Sequence, residues 1–181
     1  MRRLAALLLA AALLPQAAQA HDKKVLRTVA LEPAKDELHV LVSLRVPSGP
    51  ARAAMFALAD RDRNGQLNPK ERAALERAMI ERAMGGLMLV VGTATRTLDG
   101  AESKLSVLDP ESPLDLLIHG TAPLPQAAVT VRLKTVESGE PVDVEILAGD
   151  RPLAASSRGR PLKGVLKTVL GSRDELWIRL P

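Results

Sequence analysis

The chain has 181 residues, with 25 Lys and Arg against 21 Asp and Glu, no cysteine and an aromatic content of 1%. A net charge of +4 is too small to mark a nucleic-acid surface, and Phe56 and Trp177 alone make no platform for stacking bases or sugars. With no disulfide to staple it, the fold has to rest on a core of Leu, Val, Ala and Ile, for which the length is sufficient.

At the N-terminus, Arg2 and Arg3 precede an apolar run from Leu4 to Leu14, and Ala18-Gln19-Ala20 offers small residues at cleavage positions. This is the pattern of a secretory signal over residues 1–20. The run is shorter than the ~20 residues of a spanning helix, and without cysteine a lipid-anchored N-terminus is not expected. Cleavage leaves His21 first and lowers the net charge by two. Residues 21–181 then read as one domain, periplasmic or secreted from a bacterium, with no transmembrane segment and no nucleic-acid partner.

Val25 to Leu31 is a short extended run, and Pro33-Ala34-Lys35-Asp36 a turn. From Glu37 to Val46 the sequence alternates, Leu38, Val40, Val42, Leu44 and Val46 on one face and His39, Ser43 and Arg45 on the other. The two runs predict an opening hairpin. Pro47-Ser48-Gly49-Pro50 ends the strand, and the alanine-rich Ala51 to Ala59 predicts a helix.

The next twelve residues, Asp60 to Glu71, place oxygen-bearing side chains at alternate positions: Asp60, Asp62, Asn64, Gln66, Asn68, and then Glu71. A hard cation takes about six to eight oxygens, and a tightly curled loop can aim such a series at one point. Gly65 takes the sharp turn that a Cβ would obstruct, Gln66 supplies its backbone carbonyl, Asn68 acts through a water and Glu71 closes the sphere with both carboxylate oxygens. Leu67 points to the core. Asn68, Pro69 and Glu71 also read as N-cap, first helical residue and third-position acid of a capping box, so a second helix starts in the last turn of the loop. Leu75, Met79 and Ala83 recur on its buried side, with Arg72/Glu76 and Arg77/Glu81 as wet-side pairs.

The segment resembles an EF-hand loop, down to an aromatic, Phe56, four residues before it. That resemblance implies Ca2+ as the bound ion, held by Asp60, Asp62, Asn64, Gln66, Asn68 and Glu71 in a helix-loop-helix over about residues 51–84. Arg61, Arg63 and Lys70 offset the carboxylates, and the loop has no second copy to pair with. Both lower the expected affinity to the order of 10⁻⁴ to 10⁻³ M, the range of extracellular modules.

After Gly85-Gly86, the apolar Leu87 to Val91 predicts a buried central strand that Thr93 to Leu98 continues, and Asp99-Gly100 predicts a hairpin into Ser103 to Leu108. Proline-rich loops surround Leu114 to His119. Ala127 to Thr135 alternates, as do Val142, Val144 and Ile146. Leu153 to Ala155 is a candidate strand, Leu162 to Leu170 strand or helix, and Leu176, Ile178 and Leu180 share one face. Short strands at such spacing predict a mainly β fold, an immunoglobulin-like β-sandwich with the EF-hand inserted, an α+β fold being the alternative.

Three further groups of residues bear on function. A mature N-terminal His21 offers amine and ring nitrogen to copper or nickel, with His39 or His119 completing the site. Met55, Met79, Met84 and Met88 read as gap-fillers in a core short of aromatics. Arg151, Arg158, Arg160, Lys163, Lys167 and Arg173 make the C-terminal part basic. No nucleophile elbow, thiol, paired-histidine helix or glycine-rich phosphate loop is present, so no enzymatic activity is expected.

An exported chain that starts with His21 after Ala20 and runs through strands, an EF-hand-like loop and more strands is similar, over residues 21–110, to the soluble N-terminal domain of bacterial nickel-transporter-like membrane proteins of the hydrogenase/urease accessory type. The resemblance implies a periplasmic domain and carries over no ligand residue. The expected function is an exported, non-enzymatic calcium-binding module presenting a surface to a protein partner in the cell envelope. The alternatives are a periplasmic transition-metal carrier using His21 and an envelope or adhesion domain that meets anionic surfaces through its basic part.

Overall fold

The computed structural model describes residues 24–107, 112–136, 140–150, 152–162 and 166–181. The leader expected over residues 1–20, His21, Leu108, Arg151 and Lys163 lie outside them.

The opening hairpin forms as its alternation predicts. Strand β1 (Leu26–Pro33) pairs antiparallel with β2 (Glu37–Val46), and Leu38, Val40, Val42, Leu44 and Val46 are all buried. Helices α1 (Pro50–Ala59) and α2 (Pro69–Met84) follow. Next come β3 (Leu87–Val91), β4 (Ala94–Arg96), β5 (Asp99–Ser106), β6 (Leu114–Pro123) and β7 (Val129–Thr135). The chain closes with β8 (Val142–Ile146), β9 (Ala154–Ser157), β10 (Arg160–Pro161), β11 (Leu166–Leu170) and β12 (Glu175–Leu180).

These strands form two six-stranded sheets, in the order β11-β8-β1-β2-β6-β5 and β10-β9-β12-β7-β3-β4. The β1–β8 pair is parallel, with Val29 opposite Val144. Both sheets feed one apolar cluster: Val42, Leu116 and Val144 from the first, Leu133, Leu176 and Ile178 from the second, and Leu75, Met79 and Ala83 from α2. The fold is therefore mainly β and sandwich-like rather than α+β. None of the helices among the described residues is long and apolar enough to cross a membrane.

Three local expectations change, and one open alternative is resolved. Thr93 to Leu98 does not extend β3: Gly92, at φ 62°, turns the chain so that β4 folds back with Val91 opposite Ala94. Asp99-Gly100 is not a hairpin turn but part of β5, where the register against β6 shifts between Asp99 and Glu102 and Gly100 takes φ 57°. A bulge and a hairpin turn both call for a left-handed residue. β3 is one strand in from its sheet's edge, because the short β4 covers its free side. The ambiguous Leu162 to Leu170 contains a strand, β11.

The helix pair lies between β2 of the first sheet and β3 of the second, so it is the connection that carries the chain across the sandwich. Residues 71, 75, 79 and 83 of α2 are all buried, a stripe at four-residue spacing that packs α2 on β2 and β6. Glu71 is thus the first member of the core-facing stripe. At the other end of α2, buried Arg27 of β1 donates through Nη1 to the carbonyls of Arg82 (3.3 Å) and Gly85 (2.9 Å), two of the acceptors a helix end leaves open. Burial lowers the Arg27 pKa, and the nearby Glu140 charge opposes the shift. On the flank, Arg72 donates to Leu105 O (3.0 Å) and Ser103 to Glu76 (2.7 Å), tying α2 to β5.

Candidate metal centre

Helix α1 ends where the Asp60 N–H reaches Phe56 O at 2.9 Å, and the chain then curls through Arg63 (φ 55°) and Gly65 (φ 79°). A Cβ on Gly65 would meet nothing within 4 Å, so the demand there is the left-handed backbone and not lack of space as expected from the sequence.

Backbone N–H groups aim each acid. Asp60 accepts from Asn64 N at 3.2 Å on Oδ1 and from Gly65 N at 2.9 Å on Oδ2. Asp62 accepts from Asn64 N at 3.2 Å on Oδ1 and from Asn64 Nδ2 at 2.9 Å on Oδ2. Glu71 accepts from Arg61 N at 2.9 Å on Oε1 and from Asn68 N at 3.1 Å on Oε2. The last of these, with Asn68 Oδ1 taking Lys70 N (3.0 Å) and Glu71 N (3.1 Å), completes the predicted capping box. Glu71 therefore closes the loop onto its own second residue while capping α2.

One carboxylate oxygen from each of Asp60, Asp62 and Glu71 lies within 4.8 Å of the other two. Oxygens on opposite sides of a cation of calcium's size, bound at about 2.3–2.6 Å, are about 5 Å apart. The three acids thus fit around one cation. Asp60 and Glu71 are buried, Asp62 is exposed, and among the described residues no ion pair uses any of the three. Their negative charge is met by N–H dipoles alone. Three carboxylates without a basic partner are an all-oxygen, hard donor set.

Of the six residues expected from the sequence, the structure brings the three acids together. Asn64 and Asn68 hold the loop's shape: Asn64 Oδ1 accepts from Gln66 N at 2.7 Å, and Asn68 is the cap. The side chains of Gln66, Arg61, Arg63 and Lys70 are exposed, and Leu67 is half-buried against the core as expected.

Sequence reading finds no local partner for His39 or His119, yet strand pairing brings their rings to a centroid separation of 5.8 Å, stacked at 15°. Only the β2–β6 register reveals this. The expected basic face is divided: Arg158, beside β9 in the second sheet, pairs with Asp174, and Lys167, on β11 in the first, pairs with Glu145 at 2.9 Å.

No protein-family model, curated protein or solved structure matches this chain.

Proposed function

We propose that this protein is an exported, non-enzymatic calcium-binding module whose loop, residues 60–71, binds one Ca2+ and so fixes a helix pair on an immunoglobulin-like two-sheet body. The observation that carries the proposal is the approach of Asp60, Asp62 and Glu71 to within 4.8 Å in a loop whose N–H groups already orient them. Asp60 and Asp62 would hold the ion from the α1 side and Glu71 from the α2 side, with Asn64, Gln66 and Asn68 adding neutral oxygens. The ion supplies positive charge and no chemistry. Its effect is mechanical, because it joins the end of one helix to the start of the next.

A surface of the pair then becomes available to a protein partner in the cell envelope. Leu58, near the end of α1 and two residues before Asp60, is 83% exposed and is the apolar group best placed on that surface. Calorimetry tests the proposal: millimolar calcium should give saturable heat with one site per chain and a dissociation constant on the order of 10⁻⁴ to 10⁻³ M. No heat at those concentrations removes it.

A further inference from the structure

We propose that the free edge of β11 (Leu166–Leu170) is a dimer interface, at which two copies of this chain pair their β11 strands antiparallel and join their first sheets into one continuous sheet. The interface shares no residue with the calcium loop and does not rest on that reading.

Among the described residues the two sheets end in β11, β5, β10 and β4. An unpaired strand edge invites another strand unless it is short, kinked, charged or interrupted by proline. β10 is two residues long and ends on Pro161, and β4 is three residues long. β5 carries the register shift at Gly100. β11 has five residues, no proline or glycine, and an unbroken register against β8. Its one charge, Lys167, is drawn back over β8 by Glu145 at 2.9 Å, and Val169 stands 52% exposed.

The pairing of β8 settles which backbone groups of β11 face outward. Leu147 N donates to Leu31 O, so Glu145 and Asp143, at the same parity, turn their backbone groups to β1, and Val142, Val144 and Ile146 turn theirs to β11. Val144 therefore bonds to Thr168 opposite it, while Lys167 and Val169 point N–H and C=O away from the sheet. A two-fold axis at Thr168 sets Lys167 of each copy opposite Val169 of the other, and each such pair exchanges both of its N–H···O bonds. The side chains also match. On the core side Leu166 meets Leu170 of the second copy, and Thr168 meets its own twin. On the outer side the row across the join runs Glu145, Lys167, then Val169 and Asp143 of the second copy, with no like charges adjacent. Sliding by two residues either way sets Lys167 against Lys167 or loses half the bonds. The strand is thus complementary to itself in one register, which makes a second copy the occupant it fits.

The test is sedimentation of the full exported chain from about 10 µM to about 1 mM, the range suited to so small an interface, with EDTA present so that the calcium loop plays no part. A monomer–dimer equilibrium should appear. Val169→Lys sets a lysine against each Lys167 and should weaken the dimer about ten-fold. Val169→Pro removes an N–H that the single chain does not use and should leave monomer only. Leu117→Lys, at an exposed position on β6, should change nothing. Urea midpoints check that each variant folds. Because the chain has no cysteine, Thr168→Cys adds a single thiol. Residues opposite each other in a non-hydrogen-bonded pair have Cα atoms about 4.5 Å apart, within disulfide reach, so oxidation should link two copies through it. Lys104→Cys, on the β5 edge, should not link. Monomer at every concentration overturns the proposal, and so does a Thr168→Cys chain that links no faster than Lys104→Cys. A dimer that both Val169 variants leave unchanged, as when the exposed Leu58 of α1 makes the contact, overturns it too.

Discussion

Glu71 does two jobs with one carboxylate, and the substitutions that separate them are the sharpest tests available at single residues. Its oxygens accept from Arg61 N and Asn68 N, it is buried, and it completes the cap of α2. In Glu71→Gln one oxygen becomes an NH2 group facing a backbone donor, so one N–H loses its acceptor. The variant should lose about 1 kcal/mol of stability by urea unfolding and its calcium heat as well. Asp62 is exposed and caps nothing. Asp62→Asn should therefore stay within about 0.5 kcal/mol of wild-type stability, while calcium affinity falls roughly ten-fold because one charge of three is gone. Equal calcium affinity in Asp62→Asn and wild type would mean the three acids do not share a sphere. Gly65→Ala meets no neighbour, so its expected cost of about 1–2 kcal/mol comes entirely from the left-handed backbone.

Among the elements, α2 links core to loop, since the stripe that starts with Glu71 continues through Leu75, Met79 and Ala83. Met79 is 0% exposed, and Met79→Ala should cost about 2–5 kcal/mol, seen as a lower denaturation midpoint. The turn between β11 and β12 carries a different prediction. Asp174 accepts from Arg158 Nε at 3.0 Å and Gly171 N at 2.7 Å, and these partners, Arg158 first, hold its carboxyl below the usual value of 3.8. A carboxyl with a depressed native pKa adds stability that is complete above its unfolded pKa and is lost as pH falls through the native value. Stability of the wild type should drop on acidification below 3.8 more steeply than that of Asp174→Asn, measured by urea midpoints across the acid range. Strands such as β2, β8 and β12 were legible because one apolar face alternates with a polar one, and the loop because its oxygens have a spacing. Which sheet a strand joins was not: Gly92 turns a hairpin and Gly100 sits in a bulge, yet both need positive φ and look alike in sequence. The approach of His39 to His119 likewise depends on register between strands far apart in the chain.

At the scale of the whole molecule, the helix pair is a crossing between sheets held at several points. β2 enters it from the first sheet, β3 leaves it in the second, Arg72 and Glu76 tie α2 to β5, and Arg27 ties its far end to β1. An ion that joins Asp60 to Glu71 adds a tie at the one place where the crossing is a bare loop. Because the unfolded chain has no such sphere, binding to the native state alone raises stability by RT ln(1 + [L]/Kd), about 1.4 kcal/mol at ten times Kd. For a domain of this size each kcal/mol moves Tm by about 2–4 °C, so the expected rise is about 3–6 °C, reversed by EDTA. Magnesium at equal concentration controls for ionic strength and should do less, since it demands near-ideal octahedral geometry at about 2.0–2.1 Å and gives up its waters reluctantly. Glu71→Gln should melt at one temperature in calcium and in EDTA. If the wild type also does so at ten times its calorimetric Kd, the ion binds without bracing the crossing, and the link between metal and fold is lost.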